Sequence, residues 1–211
     1  MKKIALLCFL FLFGGRVLAQ KFSVGIIAGL ASTDVNGFDM VDGDEDFNRI
    51  GVVAGIFVNC SFNDRTSVQM ELLYATKGSL QPTDSTNTLP YFKLVLDYME
   101  VPVLFKYKMH IWVNKESLDK LELEVGPSFG FLVSSTQYNF SGPVAFDREF
   151  NKSDILFNLG LNYYFSKDFS LDIRFANSVV PIRPNPGNTI YYLDNGEYNT
   201  TFSYTLRYTF R

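Results

Sequence analysis

Residues 201–211, at the end of the chain, read Thr-Phe-Ser-Tyr-Thr-Leu-Arg-Tyr-Thr-Phe-Arg. Successive side chains of a β-strand point to opposite faces, so this alternation predicts a strand with one apolar wall and one polar wall. The apolar wall consists of Phe202, Tyr204, Leu206, Tyr208 and Phe210. About ten residues is the length that a tilted strand needs to cross a bilayer. The stretch therefore predicts a membrane-crossing strand that ends one position before the terminal Arg211.

The beginning of the chain has the features of an export signal. Lys2 and Lys3 precede an apolar run from residue 4 to residue 13, and Ala19 ends a stretch that fits a cleavage site. We therefore expect residues 1–19 to be a signal peptide and residues 20–211 to form one domain. Removal of the signal would leave a single cysteine, Cys60, so we expect no disulfide within the monomer.

The charge balance of the mature chain argues against a nucleic-acid partner. Without the three basic residues of the signal, 16 basic residues remain against 22 acidic ones, a net charge of −6. This balance does not favour nucleic-acid binding. Aromatic residues make up 16% of the chain, and no helical period is sustained.

The two-residue period recurs along the whole mature chain. It predicts seven further strands, at about residues 22–31, 50–62, 66–77, 91–109, 121–135, 153–165 and 169–179. Pro102 cannot donate a ladder hydrogen bond, which predicts a bulge or kink in the fourth of these strands. Asn195-Gly196 predicts a hairpin turn, and with it a short ribbon above the last strand.

Alternation alone does not say which wall is the core, because a soluble lipocalin-like barrel has its apolar residues inside and a membrane barrel has them outside. Connection lengths favour the membrane barrel. Residues 63–65 and 166–168 form tight turns, whereas four other connections are long, and only residues 110–120 break the rule. The long connections are residues 32–49, 78–90, 136–152 and 180–197. The sequence thus predicts an all-β fold, an eight-stranded antiparallel transmembrane β-barrel with both chain ends on the periplasmic side.

The polar wall carries charges of both signs in nearly equal number. An eight-stranded barrel is only wide enough for side chains to fill it, and unpaired charges there would be costly. We therefore expect a salt-bridged network that plugs the lumen; the other possibility is that several of these groups lie near the rims in solvent. The candidates are Glu71, Glu100, Lys106, Glu124, Asp172, Arg174 and Arg207.

Two strands carry a family resemblance. Residues 66–78 read Thr-Ser-Val-Gln-Met-Glu-Leu-Leu-Tyr-Ala-Thr-Lys-Gly, and residues 97–107 read Asp-Tyr-Met-Glu-Val-Pro-Val-Leu-Phe-Lys-Tyr. Together with residues 123–127 and 171–175, they resemble the outer-membrane β-barrel family of Gram-negative bacteria labelled porin-family or PorT-like. The resemblance implies an eight-stranded barrel in the outer membrane and implies little about activity.

Catalytic and metal-binding signals are weak. The chain has one histidine, His110, which we place at the periplasmic end, so an activated nucleophile is not expected and neither is a cofactor. Within the acidic stretch 39–46, Asp42, Asp44 and Asp46 are weak candidates for a metal site. Their spacing does not match an EF-hand, so a solvated loop is the better interpretation.

These patterns predict a non-enzymatic outer-membrane barrel that acts through its extracellular loops on a partner, a ligand or the envelope. Two alternatives stay open, a small-solute porin and a PorT-like accessory role in protein secretion. The expected partners are outer-membrane lipid, the barrel-assembly machinery through the C-terminal strand, and an unidentified extracellular or envelope component.

Overall fold

The computed structural model describes residues 21–37, 49–81, 91–109, 120–146, 148–184 and 196–210. The strands in chain order are β1 Lys21–Asn36, β2 Arg49–Ser61, β3 Thr66–Lys77, β4 Leu80–Gln81, β5 Phe92–Lys108, β6 Leu121–Asn139, β7 Gly142–Val144, β8 Ser153–Tyr164, β9 Phe169–Ser178, β10 Arg183–Pro184 and β11 Gly196–Phe210. No helix within these ranges is long and apolar enough to cross a membrane.

Eight of these strands close into a ring. Its order is β1-β2-β3-β5-β6-β8-β9-β11, and β11 returns to β1 with Phe210 opposite Val24. Every pairing in the ring is antiparallel. The predicted eight-stranded barrel is confirmed. Three strands extend further than predicted on the side of the long connections: β1 to Asn36, β6 to Asn139, and β11 from Gly196.

The two ends of the barrel differ in their connections. At one end, which we call the turn end, Lys21 pairs with Ser61, and Phe210 ends β11. The tight turns also lie there, because side chains close them: Asn63 Oδ1 accepts from the Thr66 amide at 2.8 Å, and Ser166 Oγ accepts from the Phe169 amide at 2.9 Å. The long connections lie at the opposite end, the loop end.

The apolar wall of the strands faces outward. On β11, Tyr204 is exposed over 48% of its surface and Leu206 over 55%. The residue after each of them, Thr205 and Arg207, is buried. The same alternation holds around the ring and forms a lipid-facing belt of apolar side chains, among them Ile26, Ile56, Leu72, Phe105, Phe129, Leu159 and Phe175. A soluble barrel would bury these side chains, so the belt favours the membrane barrel over the lipocalin-like one.

Two local predictions are wrong. The register of β5 against β6 shifts between Asp97, which pairs with Ser134, and Tyr98, which pairs with Leu132, so that Val133 has no partner on β5. No shift occurs at Pro102. The predicted bulge at Pro102 is therefore wrong, although the ladder to β3 is interrupted there: it runs to the pair Met70–Val103 and continues in the same register from Leu73–Glu100. The predicted alternative, a local kink, stays a prediction. Gly196 is part of β11 and pairs with Pro184, and not within a two-residue hairpin turn. Asn195 lies outside the described residues. The predicted short ribbon is present, as β10 paired with β11.

Candidate functional site: the charged interior of the barrel

Two arginines and three carboxylates meet at the centre of the lumen. Arg174 donates through Nη1 and Nη2 to the two oxygens of Glu71, at 2.8 and 2.9 Å. Arg207 donates in the same way to Glu124, at 2.5 and 2.9 Å. Asp172 Oδ2 lies 3.0 Å from Arg207 Nη2 and 3.3 Å from Arg174 Nη2. Each guanidinium therefore makes one two-pronged pair, the strongest geometry for this contact, and both share Asp172.

Strand order explains why these groups meet. Inward-facing alternation on β9 presents both Asp172 and Arg174 to the lumen, opposite Thr205 and Ser203 of β11. Glu71 comes from β3, which lies four strands away from β9 in the eight-membered ring and therefore diametrically across the lumen. The Arg174–Glu71 pair thus spans the width of the interior.

Lys106 extends the central network towards the turn end. Its Nζ lies 2.8 Å from Glu122 Oε2 and 3.0 Å from Glu124 Oε1. The same ammonium donates to Gln69 Oε1 at 3.0 Å. Tyr164 adds a hydroxyl that donates to Glu122 Oε2 at 3.0 Å. Lys106 therefore joins two carboxylates that would otherwise repel each other on neighbouring inward positions of β6.

A second cluster of charges lies nearer the loop end. Lys77, the last residue of β3, forms an ion pair with Glu100, and its Nζ is 3.9 Å from Asp154 Oδ2. Asn199 donates from Nδ2 to the same Asp154 oxygen at 2.8 Å. The Lys77 ammonium also lies 5.3 Å from the centre of the Tyr98 ring. This cluster gives the lumen a second polar layer.

Apolar side chains close the lumen above the second cluster. We call them the loop-end apolar cluster; they are Val35, Phe92, Leu94, Leu96, Tyr98, Phe150 and Ile182. Phe150 and Ile182 come from the connections and not from the ring strands. Arg183 packs on this cluster, with its guanidinium carbon 4.4 Å from the Phe150 ring centre, and pairs with Glu197 at 2.8 Å. Residues of two connections thus cover the barrel at this end.

The described part of the interior contains a small cavity. The cavity between the two charge clusters has a volume of about 30 Å³ and is lined by Glu71, Lys77, Glu100 and Arg174 among others. About 10–15 Å³ of such a cavity volume is enough to hold one water molecule, so this space has room for a few waters and not for a larger solute.

Burial makes the network energetically sensitive. Glu71, Glu124, Asp172 and Arg207 each keep 2% or less of their surface accessible. Removing one partner of such a pair leaves an uncompensated buried charge, which costs about 3–5 kcal/mol. The central network holds four carboxylates against three basic groups, so it depends on every cation that it has.

The structure places all seven lumen candidates on the inner wall. Six of them meet in the central network, and Glu100 belongs to the second cluster. The weak metal candidates Asp42, Asp44 and Asp46 lie outside the described residues, as does His110. In the described part of the chain, no group of His, Cys, Asp and Glu side chains could hold a metal ion.

Sequence reasoning missed the loop-end apolar cluster. On β5 the apolar period changes phase: Leu94 and Leu96 are buried inside the barrel, whereas Val103 and Phe105 are exposed outside. The even-numbered apolar residues before Tyr98 were the available signal. Asp154 and Asn199 were also missed, because the sequence suggests no partner for either residue.

Comparisons with known proteins concern the barrel family and fold. A family model described as an outer membrane protein beta-barrel domain matches residues 18–182. Ail, the attachment invasion locus protein of Yersinia pestis, has a similar structure, with a TM-score of 0.50 and 16% identity, over 90% of this chain and 99% of that one. Neisserial surface protein A is more distant, with a TM-score of 0.45 and 13% identity, over 91% of this chain and 99% of that one. None of the curated proteins matches the sequence.

Proposed function

Because the chain belongs to the family of outer membrane proteins with a β-barrel domain, we propose that it is a non-conducting, non-enzymatic barrel that presents its long connections at the cell surface. The observation that carries this proposal is the filled lumen. Arg174 and Glu71 meet across its full width, and Arg207 and Glu124 meet beside them. A solute would have to break these buried pairs to pass.

The covered loop end supports the same function. The Ile182 amide donates to the Glu197 carbonyl at 2.8 Å, and the Asn151 amide donates to the Ile182 carbonyl at 2.7 Å. These bonds tie the bases of two connections to each other and to β11. A fixed base suits a barrel whose connections contact a partner, because less ordering entropy is then lost on binding.

The connection lengths at the two ends of the barrel support one orientation in the membrane. Short turns and both chain ends face the periplasm in barrels of this kind, and long connections face outward. We therefore place the turn end, with residues 63–65 and 166–168, in the periplasm. In this arrangement β11, which pairs with β1 and ends the described chain at Phe210, is the strand offered to the barrel-assembly machinery.

Conductance separates this proposal from the porin alternative. The mature protein, residues 20–211, is refolded and added to a planar lipid bilayer, with a known porin as the positive control. We expect it to insert and to show a heat-dependent gel shift, yet to give no steady openings. Steady ohmic openings that change in Glu100→Gln would contradict the proposal and would favour a small-solute pore.

Epitope tags test the surface presentation. A tag inserted among residues 185–195 should be detected on intact cells, and a tag in the tight turn at residue 64 only after permeabilisation. The reverse pattern would contradict the orientation. Secretion that is lost on gene deletion and restored by the intact gene would favour the PorT-like role instead.

A further inference from the structure

The turn-end mouth of the barrel is a separate concave site. It has a volume of about 610 Å³ and is formed by the ends of β1, β2, β5, β8 and β11 together with the turn after β8. This volume falls within the range of ligand pockets, which is about 300–1,000 Å³. Its lining includes three lysines, Lys108, Lys120 and Lys167, and the hydroxyl side chains of Ser23, Ser61 and Thr209.

The described side chains that line this mouth carry charge of one sign. Its lining contains three lysines and, within the described residues, no carboxylate. The neighbouring acids are Asp168, which follows Lys167 in the turn, and Glu122, which lies opposite Lys108. Glu122 Oε2 is already held by the Lys106 ammonium at 2.8 Å and by the Tyr164 hydroxyl at 3.0 Å. None of the three mouth lysines forms an ion pair with a carboxylate in the described part of the chain.

The backbone holds these lysines at fixed positions on the rim. The Lys108 amide donates to the Arg65 carbonyl at 2.8 Å, and the Tyr164 amide donates to the Lys120 carbonyl at 2.9 Å. Lys167 lies in the turn closed by Ser166, and the neighbouring Asp168 carbonyl accepts from the Thr209 amide at 2.8 Å. The main chain of all three lysines is therefore held around one opening, from which their flexible side chains can reach a ligand.

We propose that the turn-end mouth binds a phosphate-bearing anion, with the ammonium groups of Lys108, Lys120 and Lys167 around the phosphate oxygens. A phosphate offers more acceptor oxygens than a carboxylate and can therefore engage several ammonium groups at once. The hydroxyls of Ser23, Ser61 and Thr209 supply further donors at the same opening. The phosphate comes either from a lipid headgroup at the rim, next to Phe165, or from a soluble phosphorylated molecule.

Calorimetry on the refolded mature protein in a phosphate-free maltoside detergent tests this site. Inorganic phosphate and glycerol 1-phosphate represent the soluble source, and dihexanoylphosphatidylglycerol represents the lipid source. We expect saturable binding of at least one probe; binding of the lipid probe alone assigns the headgroup, and equal binding of glycerol 1-phosphate assigns the free phosphate. No saturable binding of any probe overturns the proposal.

Matched variants locate the binding. Lys108→Gln combined with Lys167→Gln should weaken it by about tenfold or more, because two of the three ammonium groups that contact the phosphate are then lost. Lys93→Gln is the control, since Lys93 lies at the loop end over the Tyr138 ring. Binding by the double variant that equals the binding by Lys93→Gln would overturn the site. The gel shift on heating confirms that each variant is folded.

Discussion

Arg207 and Glu124 lie 83 residues apart in the sequence and are joined by two hydrogen bonds, of 2.5 and 2.9 Å, at the centre of the barrel. The pair links the last strand to the middle of the chain. Arg207 also lies 3.0 Å from Asp172 and 3.2 Å from Glu71, so one cation serves three carboxylates. The stability of the closed barrel therefore depends strongly on this single side chain.

Replacing Arg207 should destabilise the barrel more than any change in the turns. Arg207→Met leaves three buried carboxylates with one cation fewer, and we expect the free energy of unfolding to fall by about 3–5 kcal/mol. Denaturant unfolding in lipid vesicles measures this loss. Arg65→Met is the control, because Arg65 is exposed in a tight turn. Equal stability of the two variants would show that the network is not needed.

The lipid-facing belt predicts an effect that depends on depth. Leu206 lies in the middle of the outward residues of β11, opposite Ala28 and Leu171, whereas Phe210 ends the strand. Leu206→Lys should cost about 2–4 kcal/mol of folding free energy, and Phe210→Lys about 0–1 kcal/mol. Refolding into vesicles measures both values. A larger loss of folding free energy at residue 210 than at residue 206 would show that Leu206 does not lie near the middle of the membrane.

Close approach of strands requires glycine at position 29. A Cβ there would come within 2.1 Å of the Tyr204 carbonyl oxygen and 2.6 Å of the Thr205 Cα, so the backbone of β11 would have to move. At Gly130 the nearest atoms are side-chain carbons at 3.3 and 3.4 Å, which can adjust. We expect Gly29→Ala to lower the yield of heat-shifted, folded barrel much more than Gly130→Ala does. Similar yields would contradict this steric argument.

The loop-end apolar cluster behaves as a core, although it lies inside a membrane barrel. Leu96 is fully buried in it, so Leu96→Ala should cost about 2–5 kcal/mol. Leu72→Ala provides the comparison, because Leu72 is 44% exposed on the outer wall and lipid can fill the space that its side chain leaves. The ratio of the two losses in the same unfolding experiment is the readout, and a larger loss at Leu72 would mean that the cluster is not packed.

Much of the barrel could be predicted from the sequence, because the evidence is local. A two-residue period assigns each side chain to a wall whatever its distant neighbours are, so the outward Leu206 and the inward Arg207 follow from the strand alone. Connection length then distinguishes the two ends, with residues 110–120 as the exception. The eight strands and the inward position of Glu71, Lys106 and Arg174 follow from these two rules.

Pairing across the lumen could not be predicted in this way. Lys106 lies between Glu122 and Glu124, and Glu100 pairs with Lys77, only because the ring closes with one particular register between strands. The same reason applies to Pro102, where the pattern suggested a bulge and the register shift lies opposite Val133 instead. Whether a charged side chain faces inward depends on its own strand alone, whereas a salt bridge depends on how two strands are placed relative to each other.

The sequence by itself determined that this chain forms an eight-stranded barrel with an apolar outside and a charged inside, because strand alternation is a property of each segment. Only the tertiary structure decided that Arg174 reaches Glu71 across the lumen, that Ile182 and Phe150 cover its loop end, and that Lys108, Lys120 and Lys167 share one mouth. These contacts join residues that are far apart in the chain, and ring closure with its register brings them together.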